Sequence, residues 1–275
     1  MDMKKVGVIG AGAWGSGLAQ AIARGGHKVQ MWAREQDVVD GINNDHENKR
    51  YLPGYPLSLN MTASTDITEV ANGKDFLILA SPSLYLASTA QQIVDVPDVK
   101  SGKTIIGVLT KGFIPSEDGP KLVLETLESV LPECYKNSLV YIAGPSHAEE
   151  VAIGKLTGLI AASENPRNTI NFRELMRVPG LIVHSSLDVV GVQICAAAKN
   201  VIAIAYGSLD AVSEHSDIFG DNAAVTATLV LNDGAVVALN NDNNSVIQAK
   251  ENINLESESS VNNMNKSIIL SDNDI

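Results

Sequence analysis

Residues 4–32 read KKVGVIGAGAWGSGLAQAIARGGHKVQMW. The first seven of these residues form a short apolar run that ends in glycine, which is typical of a buried parallel strand. Leu18–Arg24 is rich in alanine, leucine and isoleucine and indicates a helix, and Gly25-Gly26 indicates its end. His27–Trp32 then indicates a second strand. This order of strand, turn, helix and strand predicts a βαβ unit, whose crossover is almost always right-handed.

The turn between the predicted strand and helix carries three spaced glycines. Gly10, Gly12 and Gly15 fit the pattern G-x-G-x-x-G. In that pattern the first glycine allows a tight turn, the second lets the backbone approach a pyrophosphate, and the third lets the helix pack closely on the strand. The helix N-terminus adds free N–H groups and a dipole that favours phosphate. Because the glycines lie between a strand and a helix, the sequence predicts binding of NAD or NADP.

The end of the second strand bears on the choice between the two nucleotides. An acidic residue that binds the adenosine ribose is expected about 20 residues past the glycines. The sequence here is Trp32-Ala33-Arg34-Glu35. Arg34 could stack on adenine or pair with the 2′-phosphate of NADP, Glu35 could accept from the ribose hydroxyls, or Arg34 could be a solvated surface residue. The sequence leaves these alternatives open.

The alternation of strand-like and helix-like segments continues along the chain. Buried strand-like runs occupy residues 76–80, 104–109, 138–143, 159–162 and 181–184, and helix-like segments occupy 84–94 and 120–131. Repeated alternation of this kind predicts an α/β fold, with a Rossmann-type, doubly wound, mostly parallel sheet covered by helices on both faces.

The character of the sequence changes near Leu187. Asp188–Val212 is rich in alanine, valine and isoleucine and predicts a long, largely buried helix that opens a partial all-helical domain, with a next helix over Asp217–Leu231. Ten asparagines lie between residues 240 and 275. Such a segment buries too little apolar surface to offset its chain entropy, so we expect disorder or weak order there. The predicted division is therefore 1–187, 188–232 and 233–275.

Composition and charge exclude some partners. The 275 residues carry a formal net charge of −12, which argues against nucleic acid or an anionic membrane surface, since both favour a basic footprint. Only Cys134 and Cys195 are present, so we expect neither a disulfide framework nor a metal site, and a reducing compartment. No apolar run reaches the roughly 18 residues of a membrane span. The expected location is the cytoplasm.

Three later segments carry polar groups at positions suited to ligand binding. Lys111 follows the carboxyl end of a predicted strand, where α/β enzymes bind ligands. Gly144-Pro-Ser-His-Ala148 follows another strand and offers backbone N–H groups and a hydroxyl at the same edge. Lys199 lies in an apolar helical segment, where desolvation would lower its pKa and suit it to proton transfer. The alternatives are a solvated loop lysine, a plain Gly-Pro turn and a helix lysine whose head reaches water.

Together these segments resemble the bacterial NAD(P)-dependent glycerol-3-phosphate dehydrogenases. The motifs occur in the order of the family and cover residues 4 to about 232. They are Gly10-Ala-Gly-Ala-Trp-Gly15, Asn48-Lys-Arg-Tyr-Leu-Pro-Gly54, Thr110-Lys-Gly112, Gly144-Pro-Ser-His-Ala148 with Glu150-Val-Ala152, and Ala198-Lys-Asn-Val-Ile-Ala-Ile-Ala205. The resemblance implies reversible hydride transfer between a nicotinamide and carbon 2 of dihydroxyacetone phosphate or sn-glycerol 3-phosphate, which supplies phospholipid precursors.

The resemblance also assigns residues to roles. Cofactor contacts are expected from Gly10, Gly12, Ala13, Trp14, Gly15, Arg34, Lys111 and Ala148. Substrate contacts are expected from Lys111, Gly144, Ser146 and Lys199, and Lys199 takes the place of the family's catalytic proton acceptor. No metal is implied. A cation and proton donor near the substrate oxygen suit a carbonyl that becomes an alkoxide as hydride arrives.

The chain departs from the family after Asn232. Family members continue through further helices with a Gly-Asp motif and a Ser-Arg-Asn motif, whose arginine binds the substrate phosphate, and neither follows here. We therefore interpret 188–232 as a truncated helical substrate domain, whose uncovered apolar faces favour a homodimer. The alternatives are a catalytically impaired dinucleotide-binding remnant, or a dehydrogenase for another small hydroxy acid or phosphate.

Overall fold

A computed structural model describes residues 2–116 and 119–199, and three short strands at 226–228, 246–249 and 268–271. The chain divides into two compact units, Met1–Ala196 and Ala197–Ile275.

Among its described residues the first unit contains ten strands and eight α-helices, followed by the beginning of a further helical stretch at 189–199. The strands are β1 (Lys5–Ile9), β2 (Lys28–Trp32), β3 (Glu47–Asn48), β4 (Leu52–Pro56), β5 (Met61–Ser64), β6 (Phe76–Leu79), β7 (Ile105–Val108), β8 (Val140–Ala143), β9 (Thr157–Ala162) and β10 (Leu181–Ser186). The helices are α1 (Ala13–Arg24), α2 (Gln36–Asp40), α3 (Ile67–Ala71), α4 (Ser83–Gln91), α5 (Pro97–Lys100), α6 (Val123–Glu128), α7 (Ala148–Ile153) and α8 (Pro166–Leu175). A π-helical turn spans Gly41–Asp45 and a 3₁₀ turn spans Glu133–Tyr135.

Eight of the strands form one sheet in the order β10-β9-β8-β7-β6-β1-β2-β5. Neighbouring strands run parallel except for β8 and β9, which are antiparallel. The remaining two strands, β3 and β4, make a separate antiparallel hairpin. The predicted Rossmann-type, mostly parallel sheet is confirmed.

Both faces of the central strands of the sheet are buried, which explains their continuous apolar runs. Along β6, Phe76 and Ile78 pack into one hydrophobic core, whereas Leu77 and Leu79 pack into a second. Successive strand side chains point to opposite faces, so the two cores lie on opposite sides of the sheet. A strand covered on both sides is apolar at every position rather than at alternate positions.

Helix α1 begins at Ala13, five residues before the predicted Leu18. Its first turns contain Gly15 and Gly17, which lower helix propensity and therefore conceal the start of the helix in the sequence. A Cβ at Gly15 would collide with the Gly10 carbonyl oxygen, and one at Gly17 would lie 2.6 Å from the Ala148 carbonyl oxygen. These glycines permit close packing of the helix.

The helical stretch that follows β10 covers 189–199 and begins in the first unit, since Val189 and Val192 belong to one of its cores. Gln193 is buried there and accepts a hydrogen bond from the Leu124 backbone N–H at 2.9 Å. These contacts tie the first turns of that helix to the sheet domain. The three-part division at 187 and 232 stays a prediction.

In the second unit the described residues include three parallel strands, β11 (Thr226–Thr228), β12 (Val246–Ala249) and β13 (Ile268–Ser271). The helix predicted over Asp217–Leu231 is wrong at Thr226–Thr228, where β-branched threonines favour an extended chain. Strands β12 and β13 lie within the segment expected to be weakly ordered. The rest of 200–275, with the remainder of both predicted helices, lies outside the described residues.

Among the helices in the described part of the chain, none combines the length and apolar character needed to cross a bilayer.

Candidate functional site

The glycine turn lies where β1 ends and α1 begins, at the carboxyl edge of the parallel strands. Gly10 has a φ of +124°, and a Cβ there would lie 2.9 Å from the Ala80 carbonyl. Gly15 lets α1 approach the Gly10 carbonyl. A Cβ at Gly12 would instead meet no atom of the described residues within 4 Å. Two of the glycines are thus explained by packing within the chain, whereas the space beside Gly12 fits an external group such as a nucleotide diphosphate.

The N-terminus of α1 opens on the same turn. Gly12 is the N-cap residue, no side chain of the described residues caps the helix, and its first turn contains no acidic residue. The first N–H groups of a helix have no acceptor within the helix. Helix α1 is 12 residues long. Its first N–H groups and the positive end of its dipole therefore point towards the turn, which suits a diphosphate.

A buried asparagine lies beneath the turn. Asn48, which is fully buried, donates from Nδ2 to the Ala11 carbonyl oxygen at 2.8 Å and to Ser16 Oγ at 2.9 Å. Its Oδ1 accepts from the Tyr51 backbone N–H at 3.1 Å. The Asn48–Gly54 motif by itself predicted no role for this residue. No signal in the sequence marks it, because its partners Ala11 and Ser16 lie 37 and 32 residues away along the chain.

Lys111 and Trp14 come together at the same edge. Lys111 follows β7, and its Nζ lies 5.9 Å from the centroid of the Trp14 ring, near the outer limit of a cation–π contact. Thr110 Oγ1 donates to the Ser81 carbonyl oxygen at 2.6 Å, which fixes the turn after β7 on the turn after β6. The structure thus brings together two residues that the sequence proposed for one site.

Arg34 and Glu35 follow β2, the strand next to β1. The Arg34 side chain is 72% exposed and lies 3.6 Å from Glu35, whose side chain is only 23% exposed. Glu35 Oε1 also accepts from the Tyr51 hydroxyl at 3.4 Å. Arg50 lies 5.7 Å from the Tyr51 ring centroid. Glu35 is therefore held in place while Arg34 reaches into solvent, and both can meet an adenosine at the end of β2.

The Gly144–Ala148 segment follows β8. The Ser146 backbone N–H donates to the Gly144 carbonyl oxygen at 3.0 Å, and Ser146 itself is half-buried. Ala148 opens α7 and packs against α1, because a Cβ at Gly17 would lie 2.6 Å from its carbonyl oxygen. Ala148 therefore lies beside the helix that starts at the glycine turn. His147 is exposed.

Lys199 is the last described residue of the helical stretch 189–199 and is exposed. It belongs to the second unit, so its assignment as the proton acceptor stays a prediction. The motif that contains it, up to Ala205, lies otherwise mostly outside the described residues. In the described ranges, no three His, Cys, Asp or Glu side chains are grouped so as to hold a metal ion.

Two family models match the chain. The model of the NAD-dependent glycerol-3-phosphate dehydrogenase N-terminus matches residues 5–169, and the model of the C-terminus of the same family matches residues 188–233.

Curated relatives of the chain are named glycerol-3-phosphate dehydrogenase, like the two family models. The chain is 51% identical over 224 residues to a glycerol-3-phosphate dehydrogenase, NAD(P)+, of Treponema denticola, which covers 79% of this chain and 63% of that protein. It is 50% identical over 229 residues to the protein of that name from Treponema pallidum, covering 80% of this chain and 64% of the relative. The chain therefore spans somewhat under two thirds of the length of these relatives.

Solved structures agree with this similarity. A glycerol-3-phosphate dehydrogenase from Coxiella burnetii superposes with a TM-score of 0.68 at 30% identity, covering 78% of this chain and 63% of that one. A glycerol-3-phosphate dehydrogenase from Plasmodium falciparum gives a TM-score of 0.68 at 27% identity, covering 77% and 60%.

Proposed function

The chain belongs to the NAD-dependent glycerol-3-phosphate dehydrogenase family, and we propose that it binds NAD(H) or NADP(H) and interconverts dihydroxyacetone phosphate and sn-glycerol 3-phosphate. The observation that carries this proposal is the glycine turn, in which packing requires Gly10 and Gly15 while Gly12 faces open space. The two Treponema relatives are named glycerol-3-phosphate dehydrogenase.

The residues of the glycine turn would hold the cofactor. Backbone N–H groups at the start of α1 bind the diphosphate, with Gly12, Ala13 and Trp14 lining it. Arg34 or Glu35 would contact the adenosine of the cofactor. Lys111 and Ala148 would also contact the cofactor. When bound, the nicotinamide supplies or accepts the hydride at carbon 2 of the substrate.

The substrate would lie where Lys111, Gly144 and Ser146 follow their strands. As hydride reaches carbon 2, the carbonyl oxygen becomes an alkoxide and must gain a proton. By the family resemblance, Lys199 would give that proton in reduction and take it back in oxidation. The positive charge of Lys111 stabilises the negative oxygen and the substrate phosphate.

Binding and turnover are tested separately on the same purified protein. Because Trp14 lies in the first turn of α1, beside Lys111, intrinsic fluorescence should report nucleotide binding, and we expect saturable quenching by NADH, NADPH or both. Loss of reduced nicotinamide on addition of dihydroxyacetone phosphate measures turnover. We expect Lys199→Ala to abolish turnover while leaving nucleotide binding unchanged.

Three outcomes separate the alternatives. Binding without oxidation above the Lys199→Ala background would identify a dinucleotide-binding protein without turnover. Oxidation with another small hydroxy acid or phosphate, but not with dihydroxyacetone phosphate, would identify a related dehydrogenase. Failure of both nucleotides to bind at high micromolar concentration would overturn the whole proposal.

A cytoplasmic location and a homodimer are further parts of the proposal. The family membership supports the first, and the exposed apolar side chains of Val190 and Ile194 in the stretch 189–199 support the second. Analytical ultracentrifugation at several protein concentrations tests the dimer.

A further inference from the structure

We propose that Asn48 is the positioning residue of the nucleotide site, because it orients the backbone of the glycine turn and links that turn to the adenosine end. This inference rests on the proposed nucleotide binding and names the side chain that prepares the site for it.

Both polar atoms of the Asn48 amide have a backbone partner that can act only as a donor or only as an acceptor. Nδ2 donates to the Ala11 carbonyl oxygen, which can only accept, and Oδ1 accepts from the Tyr51 backbone N–H, which can only donate. The orientation of the amide is therefore fixed by its partners. Since Asn48 is fully buried, water cannot replace these bonds when the side chain changes.

The bond to Ala11 sets the direction of the next N–H group. In a planar trans peptide the carbonyl and the N–H point to opposite sides. The Ala11 carbonyl oxygen is held by Asn48 at 2.8 Å and by Ser16 Oγ at 3.3 Å. The Gly12 N–H must then point away from Asn48 and Ser16. A rotated peptide would turn the carbonyl oxygen outwards and repel a diphosphate.

The same side chain connects the two ends of the site. Asn48 Oδ1 holds the Tyr51 backbone, and the Tyr51 hydroxyl donates to Glu35 at the end of β2. Strands β1 and β2 pair directly, so the glycine turn and Glu35 lie at neighbouring strand ends. One buried amide thereby fixes both the diphosphate end and the ribose end of the site.

A purely structural role for Asn48 makes a different prediction, and a second asparagine of the same segment provides the matched control. Asn43 donates to the Ala63 carbonyl oxygen at 3.0 Å and accepts from the Ala63 N–H at 2.8 Å. It therefore anchors its segment to β5 as Asn48 anchors its segment to the turn. Asn43 is exposed whereas Asn48 is buried, so Asn43→Asp controls for the added charge and for the loss of an anchoring pair of hydrogen bonds, not for burial.

The experiment compares Asn48→Asp with Asn43→Asp in the full chain. Aspartate keeps the acceptor for Tyr51 but turns a negative oxygen towards the Ala11 carbonyl oxygen. We expect the Kd and KM for the nucleotide to rise about tenfold or more, with kcat at saturating nucleotide and KM for dihydroxyacetone phosphate within about twofold. Asn43→Asp should leave the nucleotide Kd within about twofold of the wild type.

Ser16→Ala is the second variant, and it keeps the inference testable if Asn48→Asp does not fold. It removes one donor to the Ala11 carbonyl and places a good helix former in α1, so we expect a two- to threefold rise in Kd. If Asn48→Asp folds and its nucleotide Kd is unchanged, the inference is overturned. If Asn48→Asp does not fold, an unchanged Kd in Ser16→Ala overturns it. A rise in the nucleotide Kd of Asn43→Asp equal to that of Asn48→Asp also overturns it. If the wild type itself binds neither nucleotide, the proposed function fails instead.

Discussion

At the scale of single residues, the glycines of one turn are required for different reasons. Gly10 and Gly15 leave room for other atoms of the chain, whereas Gly12 leaves room for nothing that the described part of the chain provides. Its φ of −64° is open to any L-residue. The three positions should therefore respond differently to a single methyl group.

The first prediction compares Gly12→Ala with Gly15→Ala. The Gly15 variant forces a Cβ against the Gly10 carbonyl, and we expect its free energy of unfolding to fall by about 1–3 kcal/mol. The Gly12 variant should stay within about 0.5 kcal/mol of the wild type, yet bind NADH about tenfold more weakly. Urea unfolding and fluorescence titration measure the two effects. Equal loss of stability in both variants would contradict this account.

The second prediction concerns nucleotide preference. Glu35 is held by Tyr51, and its negative charge opposes a 2′-phosphate at the end of β2. We expect Glu35→Gln to raise the affinity for NADPH relative to NADH by about tenfold, since roughly 1.4 kcal/mol of repulsion is removed. Titration of each nucleotide measures the ratio. Arg34→Leu removes a positive charge from the same strand end, so it should lower the affinity for NADPH relative to NADH.

At the scale of elements, local pattern predicts some parts of the fold and misses others. Strands β6 and β8 are apolar throughout because both faces are buried, and the sequence located them directly. Strand β4, Leu-Pro-Gly-Tyr-Pro, has no such run, because its hairpin lies outside the sheet. The antiparallel direction of β9 depends on its neighbours rather than on its own residues.

The site divides in the same way. That Lys111 lies near Trp14 follows from the rule that parallel strands meet ligands at their carboxyl ends. The role of Asn48 does not, because its hydrogen-bond partners Ala11 and Ser16 lie 37 and 32 residues away in sequence. A buried polar contact of that range depends on the folded chain. Spacing in the sequence does not reveal it.

The third prediction tests the buried hydrogen bond between the helical stretch 189–199 and helix α6. Helix α6 has no side-chain cap of its own, and Gln193 Oε1 accepts from its Leu124 N–H instead. Gln193→Leu leaves this buried N–H without a partner, so we expect a loss of about 1–3 kcal/mol in the free energy of unfolding. Exposed Gln92, changed to alanine, should alter stability by less than about 0.5 kcal/mol. Urea unfolding of both variants decides the point.

At the scale of the whole molecule, a buried histidine links stability to pH. His27 is 2% exposed, its Nδ1 accepts from the Lys4 backbone N–H at 3.1 Å, and its Nε2 has no partner among the described residues. Burial, followed by the positive charge of Lys4, lowers the pKa of the imidazole below its usual 6.5. The folded chain therefore resists a proton that the unfolded chain accepts.

The fourth prediction follows from that difference. The contribution of His27 to stability is fully present above about pH 6.5 and is lost as pH falls through that value towards the lower pKa of the folded state. We expect His27→Gln to flatten this part of the pH profile of the free energy of unfolding. His184 is exposed, and His184→Gln should leave the profile unchanged. An identical slope in wild type and His27→Gln would contradict the assignment.

The open space beside Gly12 has a consequence for how such a chain can change over time. Under the proposed function, selection for folding acts on Gly10 and Gly15 and selection for ligand binding acts on Gly12, although all three lie within one six-residue segment. A lineage that no longer needs the nucleotide can therefore accumulate side chains at position 12 and keep its fold. The residue at this position thus records whether binding is still under selection.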